Sequence, residues 1–436
     1  MKLRNLFLST LVVCVCASCS KDDDSIKGPV EPVDAYISIA ATSLTQTKAA
    51  LPTLREESTG ETPKTDIGSD DEKFISTLTA YVFKNEEGDQ SLSAIGTAKS
   101  ENDQSVTEIT HIPIKVTPDQ TDPTKPSSSK FIVILVANGK LLTPKNLDEF
   151  KKLTLTDDIS TCIDNKRLPM VSESIPCEGL IPIVKGAGED GTSTIYAENW
   201  VTKDGKIVPV KDQTTDPSSK PDNVTPIELT RLVARVQVDN ITFNYPDELA
   251  QFELENLSIV NVHSTSTFEE GNGEYVRGYK SDKYSPADEW ISVNSPIKEN
   301  LAQAYEGCIL GKSGNASESI DWSVEAIKSK YPQFISYAFS NPEKVAHGTA
   351  LLISGQFIRN LNAPDVKETR NFRVFLNDPK DSEGLMVKRN HIYKLNVTIT
   401  GEGSSNEDKI ELNAHVSAEI TVNPWNVVYQ EEEDTN

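Results

Sequence analysis

Short runs with a period of two recur through this chain, separated by stretches of Pro, Ser, Thr, Asp and Gly. The last is the clearest: Ala414, Val416, Ala418, Ile420 and Val422 alternate with His415, Ser417, Glu419, Thr421 and Asn423. Such alternation lays one face of a β-strand on a core and the other in water. "IELTRLVARVQVDNITF", "FELENLSIVNVHS", "TALLISGQFI", "NFRVFLND" and "HIYKLNVTITG" precede it in the second half. The first half carries "AYISIAATS" (35–43), "KFISTLTAYVFKNEEGD", "ITHIPIKV" (109–116) and "SKFIVILVANG" (129–139), the last apolar enough to be buried on both faces. Many short strands between turns specify a mainly β chain of sandwich architecture. Helix signals are few. "TPKNLDEFKKL" offers Thr143 as cap and Pro144 at the first helical position, and a second short helix is expected around Ser323–Lys330. No repeat of fixed period is visible.

The ends of the chain divide it further. Lys2 and Arg4 precede a short apolar stretch, Leu6 to Val15, too short to span a bilayer as a mature helix. Ala17 and Ser18 before Cys19 resemble a lipobox, in which the cysteine is acylated; Cys16 stands where leucine is usual. An ordinary secretory leader followed by the solvated run Asp22-Asp23-Asp24 is the alternative. Residues 1–18 are therefore expected to form a signal peptide. Residues 19–55 form a tether, a first strand and an exposed loop. The polar stretch 211–225 separates an N-terminal domain (56–220) from a C-terminal one (221–436). After Cys19 only Cys162, Cys177 and Cys308 remain. A Cys162–Cys177 bridge and simple burial as small hydrophobes are both compatible with that count.

The formal charge of −23 repels phosphate backbones, so nucleic acid is not an expected partner. Catalytic signatures fail on inspection. "GAGEDG" (186–191) matches a dinucleotide fingerprint, but the strand-like "TSTIYAENW" follows where a helix must open, so a glycine hairpin is expected. "GCILGKS" (307–313) has one residue too few for a phosphate-binding loop. The five histidines are scattered, and no zinc or nucleophile-elbow pattern occurs. Neither an enzyme, a metal nor a cofactor is expected. "EGNGEYVRGYKSDKYSPADEW" (269–290) could face a glycan or Ca²⁺, or be a decorated surface loop.

"RNHIYKLNVTITGEGSSNEDKIELNAHVSAEITVNPW" (389–425) resembles the C-terminal segment of fimbrillins, the stalk subunits of type V pili in the Bacteroides group. The order of lipobox, first strand, loop, "EKFISTLTAYVF", "FIVILVANG" and "IELTRLVARVQV" agrees, so the resemblance spans nearly the whole chain. It implies two transthyretin-like β-sandwich domains and surface export as a lipoprotein through Cys19 to the outer membrane. It also implies a cut in the loop after the first strand, at Arg55 or Lys48. Loss of the strand bearing Tyr36, Ile37 and Ile39 would uncover a sheet edge. A neighbour's tail at 425–430, with Trp425, Val427, Val428 and Tyr429, would fill the gap. Partners would be copies of the chain or related pilins. A tip or anchor subunit, or a glycan-binding surface lipoprotein of a polysaccharide-uptake system, are the other readings, and a private edge strand is the other use of the tail.

Overall fold

A computed structural model of the chain describes residues 31–42, 70–101, 104–122, 125–157, 159, 162, 167–185, 194–195, 197–211, 220–269, 275–277, 302–342, 348–377, 386–405 and 415–424. The first half contributes β1 (Val33–Thr42), α1 (Asp70–Lys73), β2 (Thr77–Lys84), β3 (Leu92–Lys99), β4 (Glu108–Val116) and β5 (Lys130–Ala137). After α2 (Leu147–Lys152) come β6 (Met170–Val171), β7 (Ile175–Glu178), β8 (Val184–Lys185), β9 (Thr194–Ile195), β10 (Ala197–Val201), β11 (Ile207–Lys211), β12 (Ile227–Glu228) and β13 (Thr230–Arg231). One sheet runs β11-β10-β1-β12, with β4 also on β1; the facing sheet runs β13-β6-β5-β2-β3, with β7 on β5. Ile37, Ile39, Leu78, Val82, Ile112, Ile114, Val133 and Leu135 fill the space between them.

The second half adds β14 (Val233–Phe243), β15 (Gln251–Val260), β16 (Val262–His263), β17 (Tyr275–Arg277), β18 (Ala302–Gly311) and β19 (Ser319–Asp321). It continues with α3 (Glu325–Lys330), β20 (Ile335–Phe339), β21 (Ala350–Ile358), β22 (Lys367–Phe375), β23 (His391–Ile399) and β24 (Val416–Pro424). The sheet β19-β14-β23-β24, with β20 also on β14, faces the sheet β18-β15-β21-β22. The chain crosses from one sandwich to the other at Leu232, just past the polar stretch 211–225. The mainly β sandwich architecture read from the sequence is therefore the architecture found.

The run in β5 is apolar throughout because both its faces are covered. Phe131, Val133 and Leu135 face the first sandwich's interior. Ile134 and Val136 face the other way, into a larger core shared with α2 and with β14, β15, β21 and β23. Asn138, in left-handed backbone at the end of β5, ties three segments together. Its Oδ1 accepts from the Ser76 N–H at 2.8 Å, and its Nδ2 donates to the carbonyls of Phe74 (2.7 Å) and Leu168 (3.0 Å).

The helix after β5 starts later than the sequence suggests. Asn146, not Thr143, is the cap: its Oδ1 accepts the Glu149 N–H at 2.8 Å, while Glu149 Oε2 accepts the Lys145 N–H at 2.7 Å. Asparagine caps at least as well as threonine, and its carboxylate-backed reciprocity decides the start. The second expected helix is present as α3, capped without a side-chain hydrogen bond at Val324.

The sandwiches meet over a polar cluster beside α1. Glu72 accepts from Tyr337 Oη at 2.5 Å and pairs with Arg235 Nη1 at 3.3 Å, and its carbonyl accepts from Arg231 Nε at 3.2 Å. Burial lowers the Arg231 pKa to about 10, partly offset by Glu72, and burial, helped by Glu72, pushes the Tyr337 hydroxyl up.

Cys162 packs in the large core and Cys177 in the first sandwich, so the bridge left open by the sequence is not formed; both are thiols. Residues 186–191 lie outside the described residues, but β8 and β9 on either side pair antiparallel, Val184 with Ile195, as a hairpin requires. The near-phosphate-loop begins on β18 and therefore spends its amides in a ladder.

Candidate assembly site

The first strand is the element with the clearest functional geometry. Its sequence, VDAYISIAAT, alternates, and Ala35, Ile37, Ile39 and Ala41 are buried in the core. Burying each isoleucine is worth roughly 1.5–3 kcal/mol. The sequence placed this strand as the cover of a sheet edge; it lies inside the sheet and covers an edge on each side. β4 pairs antiparallel with it from Val33↔Val116 to Ala40↔Glu108, and β10 pairs parallel with it from Tyr36↔Glu198 to Ile39↔Val201. At its end, β12 adds Ala41↔Ile227. Alternation reports a face, not the number of neighbours, so the sequence could not distinguish edge from centre.

Of the three residues singled out on this strand, Ile37 and Ile39 face the core. Tyr36 lies on the opposite face, its ring 5.5 Å from that of His111. That face holds a cluster the sequence did not reveal. Ser38 Oγ donates to Glu198 Oε1 at 2.5 Å, across to β10. Glu198 and Ser38 are essentially sealed from solvent, at 1% and 0% exposure. From the other side, β4 bulges between its partners of Ile37 and Ile39, and His111 adopts a φ of 58°. Bulges re-aim the local backbone, and left-handed backbone is uncommon outside glycine. The His111 N–H thereby reaches both Ser38 Oγ and Glu198 Oε1 at 3.3 Å, and its Nε2 stands 3.4 Å from Glu198 Oε2. The available signal was a serine inside an apolar strand; nothing in the local sequence marks His111 or Glu198 as its partners.

The other end of the chain is an edge. β24 pairs with β23 from Ile399↔Val416 to His391↔Pro424, and among the described residues no strand lies on its far side. Val416, Ala418 and Ile420 rest on the large core, while Val422 is 40% exposed. Pro424 ends the ladder, as its missing N–H requires. The run "RNHxY" forms the entry to β23. Arg389 Nη1 donates to the Phe268 carbonyl at 3.0 Å, Asn390 takes left-handed backbone, and Tyr393 Oη accepts the Lys388 N–H at 2.9 Å. Cys19, Lys48, Arg55, Trp425, Val427, Val428 and Tyr429 lie outside the described residues.

Comparison with known proteins agrees with this architecture. Residues 35–231 match the family model of the major fimbrial subunit protein FimA. A candidate fimbrium tip subunit, Fim1C of Parabacteroides distasonis, is 24% identical over 410 residues, which cover 93% of this chain and 88% of that protein. A crystal structure of a candidate cell adhesion protein from P. distasonis shares the fold with a TM-score of 0.54 at 18% identity, over 91% of this chain and 98% of its own. The fimbrilin FimA from Porphyromonas gingivalis W83 shares it with a TM-score of 0.50 at 16% identity, over 91% and 99%. The two-sandwich fold is thus shared with a solved cell-adhesion protein, and most of the chain aligns with a fimbrium tip subunit. Residues 35–231 thus match the FimA family model, and over nine-tenths of its length the chain shares the fold of the solved fimbrilin.

Proposed function

We propose that this chain is a fimbrial subunit that polymerises by exchanging β1 for the tail of a neighbour. The observation carrying this reading is the position of β1. It is the first described strand, it is held between β4 and β10, and the segment that follows it, 43–69, bears Lys48 and Arg55. A cut after either residue severs β1 from everything downstream. The strand is then held by non-covalent contacts alone, and its loss leaves a slot with unpaired backbone on both walls. Such a slot is a template for another strand. As a strand, the tail at 425–430 would present large apolar side chains, Trp425, Val427 and Tyr429 on one face with Val428 on the other. A head-to-tail contact of that kind does not close on itself and yields an open polymer. Before the cut, lipid on Cys19 would hold the subunit on the outer membrane, facing outward.

Trypsin treatment of the purified precursor, followed by denaturing electrophoresis without boiling, tests the reading. A ladder of multiples is expected. A single trimmed band would overturn polymerisation and leave a monomeric surface lipoprotein, such as a glycan binder. A terminal rather than a stalk position is the second reading, favoured by the similarity to Fim1C along most of both chains. A tip subunit would cap a growing ladder made by a stalk pilin and not extend alone.

A further inference from the structure

The polar face of β1 constrains what can replace it. Ser38 does two things at once: its hydroxyl donates to Glu198 and accepts from the His111 N–H. Glu198 is sealed from water, so when β1 leaves, an incoming strand must bring a donor to the same place or bury a carboxylate short of a partner. The second outcome is strongly unfavourable. In the pairing with β1, the bulge in β4 aims the His111 N–H at this point.

We propose that Glu198 and the His111 N–H are a register key, and that the tail of a second copy answers it with Asn426. This rests on the strand-exchange reading above. The parity is set by the core: Ala35, Ile37, Ile39 and Ala41 point one way and Tyr36, Ser38 and Ala40 the other. Laying Trp425, Val427 and Tyr429 on the core face turns Asn426, Val428 and Gln430 towards Glu198. Val428 over Glu198 supplies no donor. Gln430 over Glu198 puts Glu431 at the core position of Ile37 or Ile39, according to strand direction. Asn426 over Glu198 puts Trp425 and Val427 at those two positions in either direction, with Tyr429 at Ala35 or Ala41. Its side-chain N–H donates to the carboxylate and its carbonyl accepts from His111, as one hydroxyl does in Ser38.

The test uses the full-length chain, trimmed with trypsin in a large excess of fluorescent peptide covering residues 415–436, which contains no lysine or arginine. Capture of the native peptide is compared with Asn426→Leu, similar in size but without a donor, and with Trp425→Ala. At least a tenfold loss is expected for Asn426→Leu on the wild-type protein. Most of that loss should vanish on a Glu198→Gln protein, whose neutral amide is cheaper to leave unanswered, while Trp425→Ala stays weak on both. Equal capture of the native and Asn426→Leu peptides, or an equal loss on both proteins, overturns the key and leaves strand exchange standing. Capture of no peptide overturns strand exchange and the key with it.

Discussion

β1 and β14 occupy the same place in their two sandwiches, yet the chain joins them to their neighbours differently. Each lies inside a sheet, with an antiparallel neighbour on one side (β4; β20 and β19) and a parallel one on the other (β10; β23), and that parallel neighbour carries one more antiparallel strand (β11; β24). The parallel ladders differ in length. β23 accompanies β14 from Arg235 to Phe243, whereas β10 accompanies β1 only from Tyr36 to Ile39. β14 is also joined by short connections on both sides, whereas the stretch after β1 is long, polar and basic in three places, Lys48, Arg55 and Lys64. On the exchange proposed above, connectivity and not interior position decides which strand is replaced, because a single cut in this stretch would separate β1 from the strands downstream.

The largest expected effect comes from shortening the chain after Pro424. If β1 is exchanged for a neighbour's tail, the trimmed ladder disappears from an unboiled gel, while the precursor's thermal midpoint is unchanged. Persistence of fibres would break the contrast between β1 and β14 at its root. Next come matched core deletions. Ile37→Ala in β1 and Ile241→Ala in β14 each cost roughly 2–5 kcal/mol in the precursor. In trimmed, polymerised material the Ile241 penalty should persist and the Ile37 penalty should vanish, as calorimetry before and after trypsin would read. Glu72→Ala removes one member of a buried pair and should cost roughly 3 kcal/mol by denaturant midpoint, before and after trimming alike. Asn146→Ala should cost about 1 kcal/mol through the lost cap of α2.

The smallest effect is at Glu402. Hydrogen bonds from Arg359 hold its carboxyl below the usual range, and Tyr245 also donates to it. A depressed folded-state value contributes stability above the unfolded carboxylate pKa and loses it as pH falls through the folded value. Glu402 is partly buried but its partner Arg359 is half exposed to water, so Glu402→Gln should flatten the acid limb of a stability profile only slightly. A shift as large as that at Glu72 would show that the far sandwich's rim matters as much as the junction.

Period two made the strands legible, including β1 and β24, because each has one face on a core. Uniform hydrophobicity made β5 legible as a strand covered twice. Pairing was not legible: no repeat period appears in the sequence, yet the two sandwiches repeat one arrangement around β1 and β14. The pairs that build it are far apart in the chain, and their identity rests on neighbours across the sheet. The cap of α2 was misplaced because Thr143-Pro144 satisfies the local rule equally well, and only Asn146 has its acceptor turned onto the helix. Ser38, His111 and Glu198 were invisible for a related reason. Each is an ordinary polar residue in its own strand, and only the bulge in β4 and the parallel register of β10 bring them together.

The core behind β5 does not stop at the boundary between sandwiches. Tyr81, Phe83, Val136 and Phe150 of the first half pack in one continuous body with Val236, Leu257, Leu351 and Leu395 of the second. A load entering through the first sandwich and leaving through the second cannot part them without exposing that shared interior. Stretched between its two ends, the molecule should yield in one abrupt rupture, and a single-molecule force trace with two separate steps would contradict it.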